Sequence, residues 1–197
     1  MHIDWNTLWS SAIGALIGSA LTLLATYLAY RLQHAEQRES DEQNTLAFLQ
    51  AIHDEMQALW EIYSERVGNH LDSLENGQPF RFLWPVGEGY FTIYDTNAEN
   101  IGRVKDSILR KNIVKTYTAA RSLLDSYRAN NSLLERWEQA ALPWNQVNSE
   151  ENKSRLQALD LLLSNYGQAL KGGHLALKVS VEELLMSLRK HGVAYGL

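Results

Sequence analysis

Cysteine is absent from the 197 residues. That removes disulfides, thiolate zinc sites, iron–sulfur clusters and thiol nucleophiles together, and leaves the compartment open. Proline is scarce, with three residues in all, and neither Pro nor Gly occurs from Ser19 to Val67, so nothing there interrupts a helix. Charge is missing from one stretch: no Asp, Glu, Lys or Arg lies between Asp4 and Arg31. All 18 Lys and Arg lie at or after Arg31, against 22 of the 23 acidic residues. The resulting mild acidity argues against nucleic acid as a partner, since phosphate binding needs a positive excess.

Recognisable chemistry is lacking as well. There is no phosphate-cradling glycine loop with Lys and Ser or Thr, no His-Glu-x-x-His, no calcium loop and no Gly-x-Ser-x-Gly elbow. The expectation is a protein that is not an enzyme and takes no cofactor. His53, Gln57 and Glu61 stand one above another on a helix and are the best metal candidate, but a solvated helix face explains them more simply.

What is present starts with the uncharged stretch. Residues from about Trp9 to Tyr30 suffice to cross hydrocarbon, which needs roughly 20 apolar residues, and backbone in lipid satisfies itself as a helix. Trp5 and Trp9 at one end, with Tyr27, Tyr30 and Arg31 at the other, are the membrane-interface anchors this reading assigns. A cleaved signal peptide fits less well, because Asp4 stands where a signal carries cations. Arg31 and Arg38 follow the span and no Lys or Arg precedes it, so the expected topology is a single pass in a bacterial inner membrane. The amino terminus would lie outside and the domain in the cytoplasm. Residues 1–31 are then an anchor and 32–197 a helical domain.

Ser10, Gly14, Gly18, Thr22 and Thr26 place small residues on one face of the span, and Gly14 to Gly18 is a GxxxG pattern that lets two helix backbones approach. Two readings stay open: self-association in the membrane, and the ordinary abundance of such residues in membrane helices. The hydroxyls can also bond their own backbone.

Past the span, Leu49, Ile52, Met56, Leu59 and Tyr63 recur at helical spacing, a register that fades near Arg66 and His70. Pro79, Pro85, Gly87 and Gly89 forbid regular helix nearby, and Phe80, Phe82, Trp84, Tyr90, Phe91 and Tyr94 concentrate aromatic surface there. A cap over the core is the default, and two short strands, 80–84 and 90–94, the alternative. Asp95, Thr96 or Asn97 would cap the next helix, ending at Asn130-Asn131. Ser132 would start a short one, stopped by Pro143. Another would begin near Asn148 and pause at Gly172-Gly173 before a last helix ending at Lys190. The expected fold class is all-α: a transmembrane helix continuing into an up-and-down helical bundle with an aromatic-rich irregular insertion.

Arg103, Lys105, Arg110, Lys111 and Lys115 form the one basic concentration, either a solvated face or a surface for an acidic partner or lipid headgroups. The segment Tyr90-Phe-Thr-Ile-Tyr-Asp-Thr-Asn-Ala-Glu-Asn-Ile-Gly-Arg-Val104, followed by Ile113-Val-Lys-Thr-Tyr117, resembles a pattern in uncharacterised bacterial inner-membrane proteins that join one span to a helical cytosolic domain. The resemblance covers about a seventh of the chain and implies no reaction; Gly102 within it suggests close packing. Together these features lead to an expected membrane-anchored interaction or scaffold protein, with the bilayer, a protein partner or a second copy as its partners. The alternative is a membrane-perturbing effector of a defence or toxin system whose domain senses a trigger.

Overall fold

The computed structural model describes residues 5–142 and 150–193, and side chains from 18 onward except that of residue 20. All regular structure among the described residues is helical: α1 (Trp5–Tyr63), a π-helical turn (Ser64–Gly68), α2 (Asn69–Asp72), α3 (Thr92–Thr96), α4 (Ala98–Arg103), α5 (Ser107–Ala141) and α6 (Glu150–Lys190). The chain divides into two compact units, Met1–Thr45 and Leu46–Leu197.

In the first unit, α1 runs without a break, as a stretch without Pro or Gly after Gly18 allows. Among the described residues no helix is long and apolar enough to cross a membrane. Side chains of 5–17, which supply the first half of the uncharged run, lie outside that description.

The second unit owns a core. Ile52, Met56, Val67 and Leu71 from the first helical stretch meet Leu109, Ile113, Tyr117 and Tyr127 of α5 and Leu170, Val181, Leu184 and Leu188 of α6. Each such leucine or isoleucine contributes about 1.5–3 kcal/mol by leaving water. Tyr63, Val67 and Leu71 all face this core although they are spaced by four. Two successive steps of four overshoot an α-helical turn of 3.6 residues. The wider π-helical turn at Ser64–Gly68 absorbs the surplus, so the register that fades in the sequence persists in space.

Several expected boundaries are corrected. Asn130-Asn131 does not end a helix, because α5 passes through it and both amides work as surrogates for backbone. Asn130 Nδ2 donates to the Phe80 carbonyl at 3.2 Å. Asn131 donates to the Trp84 carbonyl at 2.6 Å and accepts from the Trp84 N–H at 3.3 Å. Ser132 therefore starts no separate helix. Gly172-Gly173 is no pause either, since α6 is continuous there and Gly173 gives room to Leu123, whose Cδ1 would stand 3.1 Å from an added Cβ. The expected single helix is two: Asn97 stands at the N-cap position of α4 without a side-chain bond, and α5 is capped by Asp106, whose carboxylate accepts from Ile108 N at 2.7 Å and Leu109 N at 3.2 Å. Gly102 is exposed with nothing within 4 Å of an added Cβ, so close packing does not explain it. The start near Asn148 and the stop at Pro143 lie outside the described residues.

No strand forms from 80–84 or 90–94; the first is irregular and the second enters α3. Isolated strands need backbone partners, and here Asn130, Asn131 and the Leu163 carbonyl supply them instead. Gly167 of α6 makes this approach possible: a Cβ there would lie 3.1 Å from Phe80 Cβ and 3.2 Å from the Gln78 carbonyl oxygen.

Candidate functional site

The most unusual chemistry in the second unit is a buried polar chain that sequence spacing does not reveal. Its members come from four helices: Tyr63 ends α1, Asp72 ends α2, Tyr127 lies on α5 and His174 on α6. His174 Nε2 stands 3.1 Å from Asp72 Oδ1, and Nδ1 stands 2.9 Å from the Tyr63 hydroxyl. The Tyr63 and Tyr127 hydroxyls are 3.2 Å apart. A carboxylate only accepts, so Nε2 carries the imidazole proton and Nδ1 is bare. The hydrogens then run one way: Tyr127 O–H donates to Tyr63, Tyr63 O–H donates to Nδ1, and Nε2–H donates to Asp72.

Packing holds the imidazole in this orientation. The Trp60 ring stacks on it at 5.7 Å between centroids, with planes 16° apart. On another side Gly68, in the π-helical turn, lets Cε1 approach to 3.0 Å of where a Cβ would stand. Trp84 meets Tyr127 edge-on at 4.8 Å. Burial lowers the His174 pKa from its ordinary value, partly opposed by the Asp72 carboxylate, so the ring is neutral at neutral pH. Burial likewise pushes Tyr63 up to about 12 and raises Tyr127 further.

The Asp–His–hydroxyl order invites comparison with a nucleophilic triad, but the proton balance opposes it. A tyrosine pushed up to about 12, with its oxygen engaged on both sides, is a poor nucleophile near neutrality. Tyr127 has no further hydrogen-bond partner among the described residues, so the chain is a dead end and not a conduit. Beside it an apolar cleft is walled by Met56, Trp60, Tyr63, Trp84, Leu123 and Val181.

A second, half-buried device clamps the aromatic insertion. Glu55 of α1 accepts from Ile93 N at 2.7 Å, Tyr94 N at 3.2 Å and the Tyr117 hydroxyl at 2.8 Å. Tyr94 stacks on Tyr117 at 4.0 Å, and burial followed by the Glu55 bond raises the Tyr117 pKa. Glu55 thus ties α1, α3 and α5 together with one carboxylate.

The residues singled out from the sequence fall elsewhere. His53 is buried, with Nδ1 3.0 Å from Asp54, while Gln57 donates to Glu61 at 2.9 Å on the helix surface. Their supposed metal set is thereby split, and no group of three or more potential ligands is arranged for a metal among the described residues. In the basic group Arg103, Lys105, Lys111 and Lys115 are exposed. Arg110 is turned inward and donates to the Val104 carbonyl at 2.6 Å, which closes the end of α4. Tyr27, Tyr30 and Arg31 are exposed, and Tyr30 meets His34 edge-on at 4.2 Å. Gly18 is exposed, and the Thr22 and Thr26 hydroxyls donate to the Gly18 and Thr22 carbonyls at 2.9 and 2.8 Å. Trp5, Trp9, Ser10 and Gly14 lie outside the residues whose side chains are described.

Comparison with family models, with curated proteins and with solved structures finds no match to the chain.

Proposed function

We propose that the chain is a single-pass membrane protein of the bacterial inner membrane, anchored by residues 9–30, whose cytoplasmic helical domain acts by binding other proteins. The observation that carries the anchor is the state of its leucines. Leu21 is 62% exposed, Leu23 71% and Leu24 60%, and Leu28 is more than half exposed too, so apolar surface points outward from a helix that bears no charge between Asp4 and Arg31. Water penalises such surface and lipid does not. Tyr27 and Tyr30, exposed beside Arg31, have the chemistry of a membrane interface.

The Thr22 and Thr26 hydroxyls satisfy themselves on their own backbone, so the small-residue strip offers shape and not hydrogen bonds to a second copy. That supports close helix pairing over a polar conducting bundle, and favours the interaction reading over a membrane-perturbing effector. A non-catalytic role for the domain is supported by the raised pKa and double engagement of Tyr63.

The test of anchoring is fractionation of cells holding the chain at native level. Full-length chain should stay in the membrane pellet after an alkaline carbonate wash and leave it only with detergent. Full-length chain in the supernatant of a detergent-free lysate defeats the proposal. Protein binding is tested separately by crosslinking in intact cells and purification in mild detergent; a chain recovered alone and monomeric defeats that part.

A further inference from the structure

We infer that His174 and the groups bonded to it form a protonation switch, in which a proton added at Nδ1 reverses the Tyr127–Tyr63–His174 hydroxyl chain, leaves its end without an acceptor and loosens residues 63–72 from α6. The inference is independent of membrane anchoring.

The geometry makes the switch directional. With Nδ1 bare, every hydrogen in the chain has an acceptor. Once Nδ1 carries a proton, Tyr63 must accept from it and turn its own O–H toward Tyr127. Tyr127 must then turn its O–H away, and no other acceptor within hydrogen-bond distance stands among the described residues. A buried hydroxyl left without an acceptor is costly, so protonation acts on the whole chain and not on one ring.

The Asp72 side chain is 45% exposed while that of His174 is 2% exposed, so the acid end of the chain meets water and the hydroxyl end does not. The charged and titratable groups around the ring are few: Asp72 from α2 favours the cation, Lys178 one turn along α6 opposes it, and Tyr63 of α1 and Tyr127 of α5 complete the shell. Trp60 and Gly68 press on the imidazole as neutral neighbours.

The part that yields is the weakest-held of the four contributors. The π-helical turn and the four-residue α2 are short, and a π-helical turn bonds less favourably than the α-helices flanking it. Their grip on α6 runs through the Asp72 and Tyr63 bonds to His174, the Lys171 bond to the Leu74 carbonyl, and apolar contact by Val67 and Leu71. The α5–α6 pairing does not depend on these bonds; it has its own buried bond between Thr116 and Ser180 at 2.8 Å.

The sign follows from burial. The folded pKa of His174 lies below its ordinary 6.5, so the intact chain is fully present above that value and is lost as pH falls below it. One coupled proton raises the open fraction by up to about tenfold per pH unit.

Hydrogen exchange of the full-length chain in mild detergent, corrected for the intrinsic pH dependence of exchange, tests this. Between about pH 7.5 and about pH 5.5, peptides covering 63–74 should lose protection by up to about tenfold while those covering 109–120 keep theirs. His174→Gln should remove the pH dependence. Asp72→Asn keeps an acceptor for Nε2–H but removes the charge that steadies the cation, so the folded pKa falls further and the loss of protection should continue to lower pH before it levels off. Equal protection at both pH values, loss spread evenly over all helices, or the same pH dependence in His174→Gln each overturns the inference. If His174→Gln fails to fold, Asp72→Asn decides, and a loss that levels off at the same pH as in the unaltered chain overturns the inference.

Discussion

Glu55 and Asp106 show how one carboxylate can serve several backbone groups, and they do so in different surroundings. Glu55 takes two N–H groups and a phenol in a half-buried position, so truncation leaves three donors without an acceptor. Hydrogen bonds to charged groups contribute about 1.5–3 kcal/mol each before relaxation. Glu55→Ala should therefore lower unfolding free energy by about 2–4 kcal/mol, read as a shift of the urea midpoint, and Glu55→Gln by clearly less. Asp106 is an exposed cap, and backbone bonds from Leu109 and Ile108 hold its carboxyl below the usual carboxylate range, with His191 3.0 Å away adding to the effect. A depressed folded pKa means stability that is present above the ordinary value and lost as pH falls through the folded one. Asp106→Asn keeps the cap but should flatten the acid side of a thermal-midpoint profile below about pH 4.

At the scale of elements, periodicity located the helical stretches that carry the core, because apolar residues at spacings of three and four read the same in sequence and in space. Leu49, Ile52 and Met56, and Leu163, Leu170 and Leu184, are buried as that pattern requires. Boundaries were less legible, since asparagine and glycine punctuate a helix only where nothing else occupies them. Asn130 and Asn131 hold the aromatic insertion, Gly167 admits it, and Gly173 admits Leu123. The buried polar chain was invisible because its four residues come from four elements, and its one local sign is the run of spacing four at Tyr63, Val67 and Leu71. The two glycines make opposite predictions. Gly167→Val drives side-chain atoms into backbone at Gln78 and Phe80 and should cost about 1–3 kcal/mol. Gly173→Ala meets only the tip of Leu123 and relieves the helix of a glycine, so the unfolding free energy, read from the urea midpoint, should stay unchanged or rise by about 0.5–1 kcal/mol.

For the whole molecule, the division at Thr45 separates apolar surface of two kinds. The second unit buries a core from Phe48 to Val193, while Ile108, Leu142 and Leu161 are among the apolar side chains that it leaves exposed. The first leaves Leu21, Leu23 and Leu24 uncovered, and the reading proposed here assigns lipid to that surface. If so, removing the first unit removes the need for detergent without removing the core. Residues 46–197 expressed alone should stay in solution after high-speed centrifugation, unfold in one cooperative transition and sediment as a monomer. Pairing would then belong to the span, where Gly14 and Gly18 set how closely two backbones approach. In the full-length chain, Gly14→Leu with Gly18→Leu should abolish most of the dimer trapped by crosslinking in membranes while leaving the urea transition of the second unit in place. A dimer that persists in the double variant, or that forms from residues 46–197 alone, would move the pairing surface from the anchor to the domain.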